Sequence, residues 1–158
     1  MRYHNITKCD MLNGPGLRVV LWVAGCSHGC KNCQNPITWD INGGLLFDES
    51  AKEEIFRELD KEHVNGITLS GGDPLHIRNR HEISNLIDEI KEKYPEKTVW
   101  VYTGYQYEDV KELSLINKID ALVDGRFVED LKDEDLEWRG SKNQKIYFLK
   151  EGKILNII

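Results

Sequence analysis

What the chain lacks narrows it first. Its 158 residues include only four prolines, four cysteines and two methionines. No apolar run approaches the ~20 residues that cross a bilayer, and Met1-Arg2-Tyr3-His4-Asn5 is not followed by a signal-type apolar segment. The expectation is a cytoplasmic protein with no membrane partner. Positive charge is not in excess: 21 Lys and Arg stand against 27 Asp and Glu, a net charge of −6. That balance gives no electrostatic reason to bind nucleic acid. Internal repeats, low-complexity tracts and a compelling Ser/His/Asp or paired-carboxylate motif are missing as well. What remains, 40% hydrophobic and 30% charged, is ordinary globular composition. The length suits one domain over residues 1–158 with a real core, not two typical ones.

The few cysteines are unevenly spread. Cys26, Cys30 and Cys33 fall within Gly25-Cys26-Ser27-His28-Gly29-Cys30-Lys31-Asn32-Cys33-Gln34-Asn35. In a reducing compartment, clustered thiols mean metal or catalysis. Their i, i+4, i+7 spacing could mark a helix face, but Gly25, Gly29 and Pro36 weaken or break helices. A loop folded back on itself fits better and lets the sulfurs converge on one centre. Soft thiolates select iron–sulfur clusters, zinc or Cu(I). A closed structural site normally takes four protein ligands, whereas three leave a metal position open for a substrate. A structural zinc completed by His28 or a distant residue, and plain buried cysteines, are the competing readings. A disulfide would leave one thiol over. Cys9 stands apart and reads as a small buried residue.

Around this loop the chain alternates. Residues 1–15 read as a lead-in segment. Arg18 to Ala24 is a nearly continuous apolar, β-branched run, the pattern of a strand buried on both faces in a parallel sheet. Ser50 and Glu53 read as a capping box opening a helix with Ala51, Ile55 and Leu59 on one face. Val64–Leu69 predicts a strand, Ile83, Leu86, Ile87 and Ile90 a second helix, and Thr98–Tyr102 a third strand. Tyr107–Ile116 predicts a short helix and Ile119–Val123 a strand. The acidic stretch Glu129–Glu137 is a loop or short helix. Lys145–Lys150 and Lys153–Ile158 form a hairpin about Glu151-Gly152. Strand–helix alternation implies a mostly parallel sheet with right-handed crossovers. About four units are too few for a closed eight-stranded barrel, so the predicted fold is α/β, an open, truncated βα barrel. Chemistry belongs at the C-terminal ends of such strands. There lie Ser70-Gly71-Gly72-Asp73-Pro74, Thr103-Gly104 and Asp124-Gly125.

Cys26-x3-Cys30-x2-Cys33 resembles the signature of the radical S-adenosylmethionine superfamily. Together with Asn13-Gly14-Pro15-Gly16-Leu17-Arg18 and Cys33-Gln34-Asn35, it is similar to one branch, the activating proteins of anaerobic (class III) ribonucleoside-triphosphate reductase. The resemblance implies a 4Fe–4S cluster on Cys26, Cys30 and Cys33, its fourth iron chelated by S-adenosylmethionine. It places the amino end of that molecule at Gly71, Gly72 and Asp73, with Asn32, Cys33 and Gln34 also near it. The implied activity is reductive cleavage of S-adenosylmethionine, followed by removal of a hydrogen atom from a glycine of the large reductase subunit. An electron donor such as flavodoxin or ferredoxin is implied too. His28 is read as shaping the loop, Arg139–Gln144 as a substrate- or partner-contacting run or a surface loop, and Ser70, Thr103 and Asp124 as further candidates for the pocket. The alternatives are an activase of another glycyl-radical enzyme such as pyruvate formate-lyase, a radical enzyme acting on a small molecule such as a deazapurine, and a non-catalytic zinc-binding interaction module.

Overall fold

Four short apolar strands make the centre of the molecule. In the computed structural model, which describes residues 1–158, these are β2 (Arg18–Val23), β4 (Gly66–Gly71), β5 (Thr98–Tyr102) and β6 (Ala121–Asp124), adjacent and parallel. The runs are buried on both sides because both faces of the sheet are covered. The crossovers carry α1 (Glu49–Leu59), α2 (Arg80–Lys93) and the short α3 (Tyr107–Val110).

The antiparallel additions were less visible. β1 (Arg2–Asp10) pairs with β2, and the two-residue β3 (Leu45–Leu46) pairs with β1. On the far side, the hairpin of β7 (Lys145–Lys150) and β8 (Lys153–Ile157) joins antiparallel to β6. The sheet order is β3-β1-β2-β4-β5-β6-β7-β8. It is open, with β3 and β8 at its two edges, and three of its seven pairings are parallel. The expectation of a mostly parallel sheet is corrected to a parallel centre with antiparallel flanks. No helix is long and apolar enough to cross a membrane.

Strand parity divides the residues between two faces. Val19, Leu21 and Val23 of β2, with Ile67, Leu69, Val99, Val101 and Leu122, pack under Ile55, Leu59, Ile83, Ile87 and Ile90 of the helices. The alternate residues face loops instead. There Trp100, Ala121, Val123 and Ile146 form a small second cluster with Tyr102, Trp138 and Phe148. Arg18, fully buried, lies at the N-terminal end of this face. Its guanidinium donates to the hydroxyls of Thr68 (2.9 Å) and Thr98 (2.9 Å) and to the carbonyls of Pro15, Ile67 and Thr98.

Several local expectations are corrected. Residues 2–10 are a strand, hidden in the sequence because only Ile6 of them is buried. Cys9 is exposed, not buried, with φ 54° where the β1–β2 register slips. The cap of α1 is Asp48, whose carboxylate accepts the Ala51 N–H at 2.9 Å. That places the helix start two residues ahead of the one a Ser50–Glu53 box would give. The predicted helix 107–116 is interrupted: α3 ends at Val110 and a separate 3-10 turn runs Ser114–Asn117.

Candidate metal and cofactor site

Because β2, β4, β5 and β6 are parallel, the loops that follow them share one end of the sheet. The loop after β2 carries the three cysteines and is closed at its base. Gly25 N–H donates to Thr38 O (2.7 Å) and Cys26 N–H to Trp39 O (3.1 Å). Inside it a tight turn joins Cys33 N–H to Cys30 O (3.2 Å), and the Asn35 N–H points at the Cys33 sulfur (3.4 Å).

The turn after β4 meets this loop backbone to backbone. Asp73 N–H donates to Gly25 O (2.7 Å) and Gly72 N–H to Val23 O (2.9 Å). A Cβ on Gly72 would lie 2.5 Å from Gly25 O and 2.8 Å from Thr38 O, so only glycine admits this approach. Gly71, with φ 109°, makes the bend. The two glycines therefore bring the turn onto the cysteine loop.

A cavity of about 200 Å³ lies at this junction. Cys26, Cys30 and Cys33 all line it, with Gln34, Ser70, Gly71, Gly72, Thr103 and Gly104. Three of the predicted residues lie elsewhere. Asn32 is exposed, has φ 55°, and turns its amide to Glu129. Asp73 is 1% exposed and does not line the cavity. Asp124 faces a neighbouring recess of about 750 Å³, where its carboxylate accepts the Tyr107 N–H (2.9 Å) and the Lys145 N–H (3.1 Å). Burial raises the Asp124 pKa, and those two N–H donors partly oppose the rise. Its neighbour Gly125 lines both spaces.

A family model described as "4Fe-4S single cluster domain" matches residues 12–147. The anaerobic ribonucleoside-triphosphate reductase-activating protein of Enterobacteria phage T4 is 44% identical over 152 residues, covering 96% of this chain and 97% of that protein. Proteins of the same name from Escherichia coli K12 and Haemophilus influenzae are 42% and 38% identical, each over 154 residues, 95% of this chain and 100% and 99% of theirs. The chain belongs to the family of anaerobic ribonucleoside-triphosphate reductase-activating proteins.

The donor set of this family member suits a cluster better than a single ion. No three His, Cys, Asp or Glu side chains converge closely enough to hold one metal ion, whereas structural zinc draws four donors to within ~2.0–2.3 Å of a single point. In a 4Fe–4S cluster each thiolate meets its own iron, an arrangement that three cysteines lining one cavity suit. The thiols are free. Burial pushes Cys26 up to about 11, the His28 backbone N–H partly opposing it, so a metal must displace its proton.

Several lining residues escaped the sequence reading: Asn13, Trp22, Tyr102 and Phe127. Strand parity held a signal for two of them. Trp22 pairs with Ser70 in register, and Tyr102 follows Trp100 by two, so these side chains share the loop face. Asn13 and Phe127 arrive on loops distant in sequence and left no such trace. From the run Arg139–Gln144, Gly140 and Gln144 line the cavity. Gln144 Oε1 accepts the Gly140 N–H (2.9 Å) and Ser141 N–H (3.1 Å), and its amide donates to Gly125 O (3.0 Å).

Proposed function

We propose that this chain is the activating enzyme of an anaerobic ribonucleoside-triphosphate reductase, using a 4Fe–4S cluster held by Cys26, Cys30 and Cys33 and S-adenosylmethionine held beside it at Gly71 and Gly72. The observation that carries the reading is the meeting of three thiols and the Gly71-Gly72 turn in one cavity at the C-terminal end of parallel strands. When bound, the reduced cluster and S-adenosylmethionine supply a radical that takes a hydrogen atom from a glycine of the reductase. The chain's own part is to bind, orient and exclude water. Backbone carbonyls of the glycine turn suit an ammonium group, and Gln34, Ser70 and Thr103 offer polar contacts along the wall. Trp22, Tyr102 and Phe127 add aromatic surface to the lining. The larger recess shares His28, Gly104 and Gly125 with this cavity, which gives a protein-borne glycine a way in from solvent.

The same reading takes the chain as one radical S-adenosylmethionine domain over residues 1–158, its open sheet a truncated piece of a βα barrel. It takes the cytoplasm as its location, since the thiols must stay reduced, and flavodoxin or ferredoxin as its electron donor. The test is anaerobic reconstitution with iron and sulfide, then incubation with reductant, S-adenosylmethionine and the reductase large subunit. A glycyl doublet in the electron paramagnetic resonance (EPR) spectrum of the reductase is expected. A colourless protein holding one zinc, or a brown one that leaves the reductase silent, overturns the proposal.

A further inference from the structure

Asp73 follows the glycine turn, yet its side chain does not line the cavity; it is buried behind the wall, engaged by His28, Thr103 and Gly104, which do line it. Oδ1 accepts the Leu75 N–H (2.8 Å) and the Thr103 hydroxyl (3.0 Å). Oδ2 accepts the Gly104 N–H (3.0 Å), shares the Thr103 hydroxyl (3.0 Å), and lies 2.5 Å from His28 Nε2. An ionised carboxylate offers about four lone-pair sites, and these four donors fill them. None is left for the ammonium group of S-adenosylmethionine.

The donors come from three loops. His28 sits between Cys26 and Cys30 in the cysteine loop, Leu75 follows β4, and Thr103 and Gly104 follow β5. The His28 side chain is 5% exposed and packs edge-on against Tyr105, centroids 4.7 Å apart. It fits only because residue 104 is glycine: a Cβ there would stand 2.3 Å from His28 Cδ2. One carboxylate thus ties the middle of the cysteine loop to the ends of two parallel strands.

We propose that Asp73 is a positioning residue: its carboxylate fixes His28, and through it the spacing of Cys26 and Cys30, and does not contact S-adenosylmethionine. The inference rests on the cluster site proposed above. Groups that orient metal ligands from outside the first layer typically change metal retention by about 10- to 100-fold when lost.

The test uses the full chain, reconstituted without oxygen, as parent, Asp73→Asn, His28→Gln, the double variant and Thr103→Val. Iron loss to a chelator is timed in the absence of S-adenosylmethionine. We expect Asp73→Asn and His28→Gln each to lose iron about 10- to 100-fold faster, and the double variant to lose it no faster than the worse single one, because both cut the same link. The loaded fraction of Asp73→Asn should show an altered EPR spectrum of the reduced cluster before any S-adenosylmethionine is added. A purely structural role would lower the melting temperature and leave that spectrum unchanged. S-adenosylmethionine titrated onto the loaded cluster should bind Asp73→Asn within about threefold of parent. Parent-like iron retention with S-adenosylmethionine affinity lost in Asp73→Asn alone overturns the proposal. If Asp73→Asn does not fold, His28→Gln and Thr103→Val decide, and parent rates in both overturn it. A parent protein that takes up no cluster refutes the proposed function instead, so the two failures are distinguishable.

Discussion

The two faces of the sheet are built from the same strands and do different work. Under the helices, 25 buried hydrophobic residues form one cluster, nearly all aliphatic. On the loop side the buried hydrophobic cluster has four members, and the remaining space is taken by Arg18, Thr68, Trp22, Ser70 and Tyr102. The aliphatic face gains its free energy from apolar burial, which is non-directional and tolerates little else. The loop face is held by hydrogen bonds with fixed partners, which suits a surface that must also present a cavity. Stability and chemistry are therefore separable here, and substitutions can show how cleanly.

The largest expected effect falls on the loop side. Cys30→Ala should lose cluster and S-adenosylmethionine cleavage outright, while the metal-free melting temperature stays within ~2 °C of parent. Iron analysis and a thermal scan on one preparation check both halves. Leu69→Ala should do the reverse. Leu69 is fully buried under the helices, and its loss should cost about 2–5 kcal/mol in urea unfolding, with parent-like iron per folded chain. Arg18→Met tests whether the loop face is uniform. It leaves the carbonyls of Pro15, Ile67 and Thr98 without this donor and should cost roughly 2–3 kcal/mol without changing the EPR spectrum of the loaded cluster. A changed spectrum would mean that the N-terminal end of the face is coupled to the site.

The smallest effect is at Tyr102, whose hydroxyl donates to Trp138 O. Tyr102→Phe should cost about 1 kcal/mol. Burial raises the Tyr102 pKa, so between about pH 10 and pH 12 the unfolded chain releases this proton first and stability falls as pH rises. Urea midpoints at pH 9 and pH 11 should differ less in Tyr102→Phe than in the parent.

Much of this is legible in the sequence. The four parallel strands are legible because both of their faces are covered, which leaves β2, β5 and β6 largely apolar, while β4 alternates Ile67 and Leu69 with Thr68 and Ser70. The cysteine loop was legible from its density of thiols and from the glycines and proline that forbid a helix. β1 was not, since its side chains are mostly half-exposed and carry little period. Nor was β3, two exposed leucines held only by pairing with β1. The surroundings of Asp73 are hidden in the sequence for a related reason. Its place after Gly71-Gly72 suggests a ligand, and only the positions of His28 and Thr103, 45 and 30 residues away in sequence, reveal that the carboxylate is already engaged.

The sequence by itself determined the four central strands, the two long helices and which atoms can bind soft metal, because periodicity and thiol chemistry are local properties. Only the tertiary structure decided which loops share an end of the sheet, which carboxylate faces inward, and which aromatic rings wall the cavity. Those outcomes depend on strand register and on contacts between residues far apart in the chain, and no local pattern encodes them.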